Sequence, residues 1–212
     1  MKNYGFETAK MLLQSKAIKL NPAKPFVWAS GIKSPIYCDN RKTLSYPEIR
    51  SYIKEQFIQL IRENFDRPEL IAGVATGAIA QGALVANDMG LPFAYIRSAP
   101  KTHGLENLIE GVVTSGQRVI VVEDLVSTGG SSLKAVEALR RDRCEVLGMV
   151  AIFTYGFKKA ETSFEQAGCK LLTLCNYDIL LDHALETGYI QKNELAVLKK
   201  WKQDPENWNP EN

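Results

Sequence analysis

Histidine is scarce in this chain, two residues in 212, and the four cysteines Cys38, Cys144, Cys169 and Cys175 never fall in a Cys-x-x-Cys pair. A zinc centre needs such spacing or more histidine, so none is expected. Free thiols in a reducing compartment are the simpler expectation. Charge of one sign is lacking too: 26 Lys and Arg stand against 24 Asp and Glu, a formal net charge of +2. Nucleic acid is therefore not an expected partner. The basic clusters Arg140, Arg141, Arg143 and Lys199, Lys200, Lys202 read as solvated helix faces. Long apolar runs are missing. The nearest, Ile71 to Ala86, is glycine-rich, contains Gln81 and is short for a membrane span. Residues Met1 to Glu7 carry no apolar signal core, so the expected location is the cytoplasm. Neither Gly-Lys-Ser/Thr nor Gly-x-Gly-x-x-Gly occurs, which argues against a Walker loop and a dinucleotide fingerprint.

What is present suits one α/β domain: 45% hydrophobic and 24% charged residues, enough chain for a substantial core. Phe6, Ala9, Leu13 and Ala17 recur at helical spacing, and Asn21-Pro22 ends that helix. Phe26–Ala29 and Ile36–Cys38 read as a hairpin around Ser30-Gly31. Ser45-x-x-Glu48 has the form of a capping box, opening a helix whose face is Ile49, Ile53, Phe57, Leu60 and Ile61. From Leu70 strands and helices alternate. Strands are expected at 70–74, 93–96, 118–122, 146–153 and 170–174, helices at 78–88, 131–141 and 157–167. Asn176 should cap a further helix, and a last one spans 193–202. This grammar predicts a parallel sheet with helices on both faces and ligands beyond the carboxyl ends of its strands. Residues 1–65 would form N-terminal helices and a small hood, 66–190 the α/β core, and 191–212 a last helix and tail.

The most informative stretch starts at Val119-Ile120-Val121-Val122, four β-branched residues of a strand buried on both faces. Glu123 and Asp124 stand where it ends. Leu125, Val126, Ser127, Thr128, Gly129, Gly130 and Ser131 then lead into a helical segment. Backbone N–H groups of such a loop, with the helix dipole behind them, favour a phosphate. A plain strand-to-helix turn with Ser131 as N-cap would share the glycines and serines, but two adjacent carboxylates need a cation or hydroxyl donors nearby. A second constellation, Arg97, Lys101 and His103 with Gly104 behind them, lies in a polar loop between two strands. In extended chain Lys101 and His103 fall on one side. The loop reads either as a mobile surface segment or as one that closes over a polyphosphate.

The strand, acidic pair and Ser-Thr-Gly run resembles the phosphoribosyl-pyrophosphate (PRPP) signature of type I phosphoribosyltransferases. Arg97-x-x-x-Lys101-x-His103-Gly104 resembles the catalytic loop of the orotate-specific members, and Ser30-Gly31-x-Lys33-Ser34-Pro35-x-Tyr37 their N-terminal segment. The resemblance covers about residues 6–187. It implies the type I fold, transfer of ribose 5-phosphate from PRPP to orotate, Mg²⁺ carried in with PRPP, and a homodimer whose loop reaches the neighbouring site. Residue by residue, it implies that Arg97, Lys101 and His103 bind the diphosphate. Glu123 to Ser131 would hold the ribose and its 5′-phosphate, with Glu123, Asp124, Lys101 and His103 as catalytic groups. Ser127 and Tyr37 would touch orotate.

This chain departs from some members at Ser98, Ala29, the segment Gly73–Ala78 and Tyr155. The last stands where some offer orotate an arginine; Lys33 or Arg41 would then supply the cation. The rival readings are a purine phosphoribosyltransferase, which shares residues 123–131 but need not carry the basic loop, and a PRPP-sensing regulator. The regulator needs a nucleic-acid module or a basic face, and the sequence shows neither.

Overall fold

A computed structural model describes residues 4–28, 31–99 and 108–209. Elements follow in the order α1 (Tyr4–Gln14), β1 (Ile18–Leu20), β2 (Phe26–Val27), β3 (Lys33–Ser34), β4 (Ile36–Cys38), a 3₁₀ segment (Asn40–Ser45) and α2 (Pro47–Asn64). The core continues with β5 (Leu70–Val74), α3 (Ile79–Met89), β6 (Phe93–Ile96), β7 (Ile109–Glu110), β8 (Arg118–Val126), α4 (Gly130–Arg141) and β9 (Glu145–Thr154). It closes with α5 (Lys158–Gln166), β10 (Leu171–Asn176), α6 (Tyr177–Glu186) and α7 (Lys192–Gln203).

Six strands form one sheet in the order β10-β9-β8-β5-β6-β7. All neighbours run parallel except β7, which pairs antiparallel with β6 at the edge. Alternate residues of the central strands enter two separate cores. Ile71, Ile120 and Val122 pack on the side of α1, α2, α3, α6 and α7, while Leu70, Ala72, Val119 and Val121 pack against α4 and α5. Period-two side-chain alternation makes a strand buried on both faces read as an unbroken apolar run. Fully buried Phe57 and Trp201 anchor the larger core, each contributing roughly 1.5–3 kcal/mol by leaving water.

The N-terminal section departs from expectation in three ways. The first helix stops at Gln14; Ser15 turns its hydroxyl back to the Met11 carbonyl at 2.7 Å and Lys16 takes φ 54°. A left-handed residue cannot continue a helix, so Ile18–Leu20 becomes a strand and pairs with Ile36–Cys38. The expected hairpin is therefore split: Phe26–Val27 turns back onto Lys33–Ser34 instead. Pro35 has no N–H to give a ladder, and the chain changes partners across it. The capping box also fails, because Pro47 takes the first helical position and makes Tyr46 the N-cap, leaving Ser45 inside the 3₁₀ segment. Elsewhere the expected elements stand within a few residues. Asn176 caps α6 by accepting the Ile179 N–H at 2.9 Å, and Trp208 packs into the larger core.

Candidate active site

Strand β8 runs on through the acidic pair to Val126. The two carboxylates therefore sit inside the strand, and adjacent strand residues face opposite ways. Glu123 turns toward α4, where its Oε2 accepts the Ser132 hydroxyl at 2.8 Å, while Oε1 accepts the Asp124 N–H at 2.9 Å. Asp124 faces the hood: its carbonyl accepts Asn40 Nδ2 at 2.6 Å. Its carboxylate stands so close to Gly77, in the turn after β5, that any side chain at 77 would collide with it. Two short turns and the hood thus converge on one aspartate.

Around it lies an open cavity of about 450 Å³ beyond the carboxyl ends of β5 and β8. Its wall comes from three stretches: Cys38–Arg41 of the hood, Val74–Gly77, and Glu123–Ser131 without Val126 and Gly130. The loop after β8 is shaped by Gly129, at φ 85°, whose missing side chain also lets Phe164 approach. Beyond it the N-terminus of α4 opens toward the same space.

Burial governs the electrostatics. Burial, then the neighbouring Asp124, pushes the Glu123 carboxyl from 4.5 up to about 8. Burial raises Asp124 as well, opposed by the hydrogen bond with Glu123 and by the Arg41 guanidinium. A buried acidic pair in this state is ready for hydroxyl donors or a cation. Arg41, itself bonded to Asp39 at 2.7 Å, is the cation on the cavity wall among the described residues.

The structure brings together most, but not all, of the expected residues. Val126 is fully buried and its carbonyl is taken by Thr154 Oγ1 at 3.1 Å; Gly130 opens α4 and is not on the wall. Tyr37 stands aside, its ring 5.6 Å from Phe26. Arg97 follows β6 and pairs with Glu110 of β7 at 3.5 Å, away from the cavity wall. Lys101 and His103 lie outside the described residues. Of the two suggested cations, Arg41 reaches the cavity while Lys33 is exposed on β3. Tyr155 is 2% exposed, locked in a cluster with Trp28, Phe157, Tyr177 and Trp201, and burial pushes its phenol up. Asn40 and Ser132 carry the site and were missed: a buried asparagine and a helical serine leave no local trace of partners far along the chain.

Comparison with known proteins agrees with this geometry. The phosphoribosyl transferase domain family matches residues 43–184. An orotate phosphoribosyltransferase of Bacteroides fragilis is 61% identical over 98% of this chain and 98% of its own. Among solved structures, an orotate phosphoribosyltransferase from Aeropyrum pernix superposes with a TM-score of 0.75 at 27% identity, covering 86% of this chain and 99% of that one. Leishmania donovani UMP synthase superposes with a TM-score of 0.79 at 26% identity over 93% of this chain, which spans only 42% of that longer protein.

Proposed function

Because this chain belongs to the phosphoribosyltransferase family and, within it, to the orotate phosphoribosyltransferases, we propose that it transfers ribose 5-phosphate from PRPP to orotate. The products are orotidine 5′-monophosphate and pyrophosphate, a step of pyrimidine synthesis. One observation carries the mechanism: Asp124, the turn at Gly77 and the loop from Ser127 to Ser131 wall a single cavity.

In that cavity the amides of residues 127–131 take the 5′-phosphate, with Ser127 at its orotate-facing end. Glu123 and Asp124 hold the ribose hydroxyls, and negative charge on the acidic pair opposes the positive charge that builds on the ring as C1′ loses its diphosphate. The base nitrogen attacks C1′ as the C1′–O bond to the diphosphate breaks, so the protein's main tasks are alignment and exclusion of water. Arg97, Lys101 and His103 neutralise the departing diphosphate. The 75–77 turn lies on the same wall.

Among the described residues no cluster of three or more His, Cys, Asp or Glu could cage a metal. An acidic pair beside an open cavity instead suits Mg²⁺ that arrives on the diphosphate and keeps its waters. When bound, Mg²⁺ supplies charge neutralisation on the phosphate oxygens; Asp124 is placed to hold the sugar beside it. The resemblance of the basic loop supports a homodimer in which each loop serves the partner's site. The four free cysteines support a cytoplasmic location. Among the described residues no helix is long and apolar enough to cross a membrane.

The deciding assay offers orotate, adenine, hypoxanthine and xanthine separately with PRPP and Mg²⁺. Turnover of orotate alone is expected; turnover of a purine but not orotate overturns the reading. Lys101→Ala should lower kcat on the order of 10²–10³-fold, as removal of a transition-state charge partner does. KM for PRPP should change far less.

A further inference from the structure

A second cavity, of about 410 Å³, meets the first at Ser127 and Thr128, which line both. Its walls combine two aromatic residues, Trp28 and Phe157, with three cations, Lys158, Lys159 and Lys202. It is closed by the chain just past α7, including Asp204 and Glu206. We infer that this cavity receives the base, and that Lys202 on the last helix binds the carboxylate of orotate. The inference rests on the function proposed above and names the residues that recognise the acceptor.

The arrangement matches the acceptor's chemistry. Orotate is a planar ring with one carboxylate: the ring can stack on an aromatic side chain while the carboxylate takes a cation at its edge. Trp28 is fixed for that purpose: its Nε1 donates to the Ile36 carbonyl at 3.1 Å, and its ring packs 5.4 Å from Tyr155 and 5.7 Å from Trp201. Phe157 stacks on Tyr155 with ring centroids 5.2 Å apart. The buried aromatic cluster thus holds both walls without entering the cavity.

Lys202 is the most tightly placed of the three cations. Its Nζ bonds Asp178 Oδ2 at 2.7 Å and lies 5.9 Å from the centre of the Tyr177 ring, with the side chain 24% exposed. An ammonium has three donors, so two remain for a ligand after Asp178 takes one. Partial burial strengthens what they offer relative to a fully solvated lysine. Lys158 and Lys159 are exposed and have no ion-pair partner among the described residues, so they add positive field at the rim. Of the two acids there, Asp204 already accepts bonds from Asn207, at 3.1 Å from Nδ2. Junction at Ser127 completes the argument: a base in this cavity and a sugar in the other meet beside one hydroxyl, as an in-line displacement requires.

Steady-state kinetics on the full chain test this. Lys202→Met should raise KM for orotate roughly ten- to hundredfold, the value of a charge-assisted hydrogen bond, with KM for PRPP unchanged. Lys202→Arg should recover most of that loss. Asp178→Asn breaks the same ion pair but keeps the ammonium, and should leave KM for orotate within about threefold of the parent. The inference is overturned if Lys202→Met binds orotate as the parent does. It is equally overturned if both KM values rise together, or if Asp178→Asn reproduces Lys202→Met, which would make the lysine only a structural partner. A parent enzyme that fails to convert orotate at all would instead bring down the functional reading itself.

Discussion

The floor of the catalytic face and its base-side wall are built in opposite ways. The floor is contiguous: β8 lies between β5 and β9 in parallel register, and the turn after it lines the same cavity within a few residues. The wall is dispersed. Trp28 comes from the hood, Phe157 from the residue before α5, and Lys202 from the last turn of α7. The hood strands that carry part of this wall are two or three residues each, and Asn40 ties them to the floor through the Asp124 carbonyl. In the proposed reaction, the part shared by any PRPP user is thus held by the central sheet. The part that distinguishes one base from another rests on elements that can change singly.

That contrast can be broken from the floor first. Gly77→Val drives a side chain into the Asp124 carboxylate, and a displaced catalytic group costs on the order of 10²-fold in rate. Catalytic efficiency should fall at least that far while far-UV circular dichroism stays native, because the turn lies outside the regular elements.

Cutting the tie between floor and hood should have a smaller effect. Asn40→Ala leaves the half-buried Asp124 carbonyl without its 2.6 Å partner, at a cost of about 1 kcal/mol, read as a lower denaturant midpoint. KM for orotate should rise more than KM for PRPP, since the hood bears the base-side wall.

A separate effect, read as a pH profile, concerns charge in the floor alone. Glu123 carries a folded value raised from 4.5 to about 8, so between those pH values the folded protein holds a proton that the unfolded chain has lost. Its contribution to stability is fully present below about 4.5 and disappears as pH rises to about 8. The thermal midpoint of the unliganded protein should fall across that window. Glu123→Gln, which has no proton to lose there, should flatten this part of the profile.

Much of this was written in local pattern. A β-branched run followed by acids, small hydroxyls and glycine favours a buried strand entering a helix through a tight loop, so the strand from Arg118 and the helix near Ser131 were legible, while the run of the strand through Glu123 and Asp124 to Val126 was not. The alternation of strands and helices after Leu70 was equally plain, because both are set by short-range periodicity and by burial on both faces. The hood was not legible in this way. Its strands are too short to show a period, and their pairing turned on where Pro35 removes a donor and where Lys16 turns left-handed.

Other facts exist only in three dimensions. The division of labour between Glu123 and Asp124 follows from the strand continuing past them, which put one carboxylate on each side of the sheet. The identity of the cation near the base could not be read from spacing, because Lys202 reaches Ser127's neighbourhood only after α7 folds back over the aromatic cluster. Local sequence settles conformation, since dihedral preference and burial act on neighbours. Which distant side chains share a cavity is settled by packing, which no short stretch of chain contains.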